Sequence, residues 1–244
     1  MICVENISME FDLNRGKVRS LKERLFAKVA DQVKESKKFV ALNHVSFSLQ
    51  QGDTLGIIGN NGAGKSTLLK ILSGIMKPSS GTVRIDGTIS PMIELGTGFD
   101  FELSAEENVY LSGAVLGYSK ALLDAKIDEI FDFSELWNFR QVPVKYFSSG
   151  MVARLAFAVS TLVKPDLLIV DEILSVGDVP FQQKSFKKMQ ELMSGGSTVI
   201  YVSHNIDSVK ELCNRVIWLE HGAIKMDGES KIVCEQFMES VEHG

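Results

Sequence analysis

A run of about 18 apolar residues, the least that crosses a bilayer as a helix, occurs nowhere in this chain of 244 residues. No apolar segment behind a basic cluster opens the sequence in signal-peptide fashion either, so the chain is expected neither to enter nor to span a membrane on its own. Cysteine is scarce. Cys3, Cys213 and Cys234 are odd in number and scattered, with no C-x-x-C pair and no histidine at metal-binding spacing, so reduced thiols of a cytosolic protein are the simplest reading. There is no internal repeat and no low-complexity tract. Positive charge is not in excess: 26 Lys and Arg against 31 Asp and Glu leave a net charge of -5, which argues against a general nucleic-acid binder. With 45% hydrophobic and 23% charged residues, large-scale disorder is not expected, and the length suits one large domain or two small ones.

The charge is unevenly spread. Between Arg15 and Lys38 nine Lys or Arg stand against three acids, Glu23, Asp31 and Glu35. Val18, Leu21, Leu25, Val29 and Val33 recur there at steps of three and four, with Arg19, Lys22, Arg24, Lys28 and Lys34 on other faces, which predicts an amphipathic basic helix. Two readings stand side by side: a helix packing its apolar stripe on its own domain, or one lying against anionic lipid head groups or a membrane partner.

The most specific pattern is Gly59-Asn60-Asn61-Gly62-Ala63-Gly64-Lys65-Ser66, set between an apolar, strand-like run at 54–58 and a helical run at 67–74. Strand, glycine loop and helix form the setting that the P-loop pattern G-x-x-x-x-G-K-[ST] requires. The glycines let the backbone turn its N–H groups onto phosphate oxygens, the helix presents its positive end, and Lys65 adds a full charge. The Ser66 hydroxyl can then hold Mg²⁺. A second apolar run, 167–170, ends in Asp171-Glu172. A buried parallel strand would deliver both carboxylates to the carboxyl edge of a sheet, Asp171 meeting the cation held by Ser66 and Glu172 polarising a water for attack on the terminal phosphate. A third run, from Ser197, ends in His204, within reach of that phosphate.

Around these, alternation predicts antiparallel strands at 2–11 and 41–49, a short strand at 82–87 and a strand from Met92 into a glycine loop at 96–99. Helical patterns at 105–116, 120–131, 134–138 and 152–162 predict a helical subdomain over about residues 100–163. After His204 come a helix at 206–213, a hairpin around His221-Gly222 and a closing helix at 231–241.

Together these motifs resemble the nucleotide-binding subunit of an ABC transporter over nearly the whole chain. Ser148-Ser149-Gly150-Met151 is similar to that family's signature motif, Ser175-Val176-Gly177-Asp178 to its D-loop, and His204 to its switch histidine. The resemblance implies an α/β fold: a P-loop ATPase core on a mostly parallel sheet, an N-terminal antiparallel β subdomain and a helical subdomain. It implies one nucleotide-binding domain over 1–244, with the basic segment 12–38 as an insertion. ATP and Mg²⁺ are the implied cofactors. Gly59, Asn60, Asn61, Gly62, Ala63, Gly64, Lys65, Ser66, Thr67, Ser148, Ser149, Gly150 and Asp178 would bind the nucleotide, and Ser66 and Asp171 the metal. Glu172 would be the base and His204 the sensor of the γ-phosphate. An aromatic stacks on adenine in this family; Phe11 is the first choice here and Phe39 the second. The implied partners are a second copy, each ATP lying between the loop of one and the signature helix of the other, and a separate membrane permease.

Two departures narrow the resemblance. Phe147, Ser149 and Met151 replace three positions of the common Leu-Ser-Gly-Gly-Gln signature, and no glutamine lies between Gln51 and Gln141 to serve as the family's Q-loop residue. Glu94 is the residue best placed to substitute, on Mg²⁺ or on water. The segment 146–151, the loop 94–99, the Ser-Val-Gly-Asp loop and the basic helix are similar to those of polysaccharide and polyol-phosphate exporters. That implies export of a lipid-linked glycan, O-antigen first, with teichoic acid or capsule as alternatives, from the cytoplasmic face of the inner membrane. The rival is a soluble cassette ATPase acting on DNA or ribosomes; its usual second cassette or long inserted coiled coil is absent, and no nucleic-acid partner is expected.

Overall fold

Ile2, Val4 and Ile7 point to one side of a strand, β1 (Ile2–Asp12), and bury completely or nearly so. In this computed structural model, which describes residues 1–12, 38–92, 96, 98–171 and 177–242, β1 is the middle strand of a three-stranded antiparallel sheet. Its neighbours are β2 (Lys38–Leu49) and β4 (Ser80–Ile85). The predicted basic helix lies outside the described residues.

Continuous apolar runs build the second sheet. β3 (Thr54–Ile58), β6 (Leu167–Asp171) and β7 (Thr198–Val202) are buried on both faces over most of their length, as parallel strands flanked by helices must be. With β5 (Ile89–Met92), β8 (Arg215–Glu220) and β9 (Ala223–Glu229) they form a six-stranded sheet in the order β5-β6-β7-β3-β8-β9. Every pairing is parallel except the β8–β9 hairpin. The α/β class, the mostly parallel sheet and the antiparallel N-terminal sheet are thus as the sequence implied. Ile89 to Met92 pair with Leu167 to Val170, while residues 93–95 and 97 of the run expected from Met92 onward lie outside the described residues. Pro91 is tolerated there because β5 is an edge strand.

The helices are α1 (Lys65–Leu72), α2 (Ala105–Val115), α3 (Lys120–Ser134), α4 (Ser149–Ser160), α5 (Val179–Ser194), α6 (Ile206–Leu212) and α7 (Ser230–Glu242). Short polar residues start five of these helices. Ser104 and Glu107 form a reciprocal capping box on α2, and Ser119, Ser148, Asp178 and Asn205 each accept a backbone N–H of the helix they open. The helix expected at 134–138 is instead a single 3₁₀ turn, Trp137–Phe139, because α3 runs on to Ser134 and Glu135 adopts a left-handed conformation (φ 62°) that ends it. Among the described residues no helix is long and apolar enough to cross a membrane.

Three apolar clusters hold these layers. Leu68 and Leu69 of α1 fill the space between the two sheets with Ile7, Leu42 and Val45. Ile58, Val170, Phe157 and Phe181 cover the opposite face of the larger sheet. Val109, Ile127, Phe131 and Leu155 make the centre of the helical subdomain. Each such side chain contributes roughly 1.5–3 kcal/mol of apolar transfer. Helix α4 belongs to two clusters, Phe157 facing the sheet and Leu155 and Val159 the subdomain. Phe157 stacks on Phe133 at 5.8 Å and meets Phe181 edge-on at 6.2 Å, so the subdomain is anchored through aromatic contacts.

An ion pair ties α2 to the segment before the signature residues. Arg140 donates to both carboxylate oxygens of Glu106 at 2.6 and 3.1 Å. That pairing, opposed by desolvation, holds the Glu106 carboxyl below its ordinary value of 4.5. A carboxylate depressed in the folded state stabilises above its unfolded pKa, and the contribution disappears as pH falls through the folded one. Glu106→Gln is therefore expected to lower stability by on the order of 1 kcal/mol at neutral pH and to narrow the gap to wild type below pH 4.5. Urea titrations at several pH values would measure both.

Candidate active site

Strand β3 lies between β7 and β8, so the glycine loop leaves the larger sheet at its interior and not at an edge. Backbone crowding fixes the glycines. A Cβ on Gly59 (φ +148°) would lie 2.3 Å from the Leu219 carbonyl oxygen, and one on Gly64 (φ +105°) 2.5 Å from that of Ala41. The loop is thus pressed between β8 and β2, with room for glycine alone. Helix α1 then starts at Lys65 with no side-chain cap, so its first N–H groups have no intrahelical acceptor.

Lys65 is buried, 7% exposed, and its ammonium donates to the carbonyls of Gly59 at 2.6 Å and Asn60 at 3.1 Å. Burial pulls its pKa below the usual lysine value, and the Asp171 carboxylate opposes that shift. Asp171 ends β6 and pairs in register with Val202 on β7; His204 follows β7 by two residues. A cavity of about 250 Å³ gathers these groups, lined by Phe39 and Ala41 of β2, Asn61, Gly62, Gly64, Lys65, Ser66 and Thr67 of the loop and helix, and Asp171, Val202 and His204. Ser66 and His204 are exposed in it.

The donor set suits a magnesium nucleotide. Backbone N–H groups and a lysine would face phosphate, while Ser66 and Asp171 would supply hard oxygen ligands. The described residues hold no group of three His, Cys, Asp or Glu able to cage a cation. Mg²⁺ keeps several waters and takes its other ligands from phosphates.

Not every predicted residue lies here. Asn60 and Ala63 border a smaller cavity on the other side of the loop with Leu219, Glu220 and His221. Phe11 is the cross-strand partner of Phe39, and Phe39 is the one among the lining residues. Ser148, Ser149, Gly150 and Asp178 are outside the lining and lie together elsewhere. Arg154 of α4 donates to Asp178 at 2.7 Å, with its guanidinium 4.9 Å from the Phe181 ring centre, and a Cβ added to Gly150 would lie 4.0 Å from the Gly177 Cα. Glu94, Glu172, Ser175 and Val176 lie outside the described residues. Sequence reasoning missed Ala41 and Val202; their signal was position, one beside the aromatic on its strand and the other at the end of the strand before His204.

This geometry makes the chain a P-loop ATPase. Residues 42–175 match the ABC transporter family, and the chain belongs to it. It is 37% identical over 242 residues, 99% of this chain and 98% of the relative, to the O-antigen export system ATP-binding protein RfbB of Klebsiella pneumoniae. It is 38% identical over 240 residues, 98% of this chain and 70% of the relative, to the teichoic acids export ATP-binding protein TagH of Listeria innocua. Among solved structures, an ATP-binding subunit of an ABC transporter superposes with a TM-score of 0.76 at 22% identity, covering 97% of this chain and 93% of that one. The dimeric ATP-binding cassette MJ0796 bound to ADP and Pi superposes at 0.73 and 21% identity, covering 94% and 99%. At these identities the two structures speak for the fold alone.

Proposed function

We propose that this chain is the ATP-hydrolysing subunit of an exporter that moves a lipid-linked polysaccharide, O-antigen in the first instance, across the cytoplasmic membrane. The observation that carries it is the cavity where the glycine loop, Lys65, Asp171 and His204 meet, in a chain similar from end to end to an O-antigen export ATP-binding protein. Two copies work head to tail beneath a separate permease at the cytoplasmic face, each ATP lying between the loop of one and Ser148, Ser149 and Gly150 of the other. That those residues do not line their own chain's cavity motivates the second copy. The Ser148 hydroxyl accepts the Met151 N–H at 3.2 Å, which leaves its own proton to donate to a phosphate oxygen.

Within the site, Glu172 takes a proton from the attacking water and His204 senses the γ-phosphate. Phe39 is favoured over Phe11 as the platform for adenine by its place in the lining. Ser66 and Asp171, with Glu94 in place of the missing glutamine, would hold Mg²⁺, whose chemistry is to neutralise charge on the phosphates. The basic segment 12–38 faces the anionic membrane surface.

Cells lacking the chain are expected to accumulate the lipid-linked glycan on the cytoplasmic side and to clear it when the wild-type gene is restored. Normal surface glycan without the chain would overturn the reading. A second reading, teichoic acid or another polyol-phosphate polymer, has support in identities of 38% and 40% to two TagH proteins. Chemical analysis of the accumulated polymer, sugar repeats against polyol phosphate, decides between them.

A further inference from the structure

We propose that Gly222, in the turn joining β8 to β9, is a positioning residue for the nucleotide, its backbone clasping the β2 wall of the cavity to the glycine loop. This rests on reading the cavity as the nucleotide site. The two walls belong to different sheets: Phe39 and Ala41 sit on β2 of the three-stranded sheet, while the loop follows β3 of the six-stranded one. Gly222 spans the seam. Its N–H donates to the Ala63 carbonyl in the loop at 3.1 Å, and its carbonyl accepts from the Asn43 N–H on β2 at 2.8 Å.

The clasp has no room for a side chain. A Cβ on Gly222 would lie 2.8 Å from the Ala41 carbonyl oxygen, 3.1 Å from its carbon and 3.2 Å from the Leu42 Cα, all backbone atoms that cannot rotate aside. The same Ala41 oxygen is the atom that a Cβ on Gly64 would strike. Two glycines, one from the loop and one from the hairpin, therefore converge on a single carbonyl of β2. The turn also demands left-handed backbone, φ 49° at His221 and +79° at Gly222, as tight hairpins do. A side chain at 222 has to push Ala41, and Phe39 beside it, away from the loop. A nucleotide that touches both walls then loses its simultaneous fit.

The test uses the full chain with Gly222→Ala, Gly222→Asn, Gly117→Ala and Lys65→Ala. Asparagine tolerates the left-handed conformation but carries the same Cβ, so it serves should the alanine variant fail to fold. Gly117 has a similar φ, +81°, with open space around it, and controls for backbone strain alone. Titration with a fluorescent ATP analogue, steady-state kinetics and thermal unfolding are read together. Both Gly222 variants are expected to weaken binding and raise KM by roughly tenfold, changing kcat far less. Gly117→Ala is expected to lower the melting temperature without moving KM. Wild-type KM in the Gly222 variants, or an equal KM shift in Gly117→Ala, overturns the clasp while loss of binding in Lys65→Ala keeps the cavity reading. Wild-type binding in Lys65→Ala overturns both.

Discussion

Lys65→Ala is expected to reduce ATP hydrolysis by at least roughly 10²–10³-fold while changing the stability of the nucleotide-free chain little. The two effects separate because Lys65 is placed for the nucleotide and at some cost to the fold. Its side chain is buried, and desolvation pulls its pKa below the ordinary 10.5 despite the nearby Asp171 carboxylate. A lysine whose folded pKa is lowered destabilises the native state wherever it is charged in both states. That penalty fades as pH rises through the folded value toward 10.5. Alanine removes it, and also removes the bonds to the Gly59 and Asn60 carbonyls, worth on the order of 1 kcal/mol each. The two terms act in opposite directions. Wild-type melting temperature should rise with Mg-ATP, and the variant's should not, because only binding to the native state produces the shift. Wild-type turnover in Lys65→Ala would remove the lysine from the phosphate site.

The site was more legible in the sequence than the subdomain around it, for physical reasons. A phosphate cradle needs glycine where a Cβ would strike backbone, as at Gly59 and Gly64, and a cation on the following helix, so few residue types fit and the pattern stands out. Buried parallel strands ending in Asp171 and His204 are equally constrained. Helix α5 was not read at all, although Asp178 caps it, Pro180 opens it, and Phe181, Ser185, Met189 and Leu192 line its buried face. Lysines and glutamines at 182–184, 187, 188 and 190 dilute the apolar period. The sequence reading put Phe11 ahead of Phe39; the two are direct cross-strand partners, and Phe39 is the one in the cavity lining. Gly222 looked like an ordinary hairpin glycine. Its contacts are backbone to backbone with segments far away in sequence, and no side-chain pattern records them.

Glu172→Gln is expected to lower steady-state ATP hydrolysis by roughly 10²–10⁴-fold with ATP affinity kept within a few fold. Glu172 itself lies outside the described residues, but Asp171 directly before it does not. Asp171 ends β6 in register with Val202, and Asp171, Val202 and His204 share the cavity with Lys65 and Ser66. Glu172 follows Asp171 directly in the sequence, and a water attacking the terminal phosphate would need a base there. Glutamine keeps the length and can still hold that water, but it cannot take its proton, so the chemical step suffers and binding does not. The consequence reaches the assembly. With Ser148, Ser149 and Gly150 of a second copy completing each site, unhydrolysed ATP should hold two chains together. Light scattering of the variant with Mg-ATP should then report a lasting dimer, and wild type one that decays as ATP is consumed. Wild-type turnover would move the base to another residue. Lost turnover with a chain that stays monomeric would keep Glu172 as the base and remove the second copy from the site.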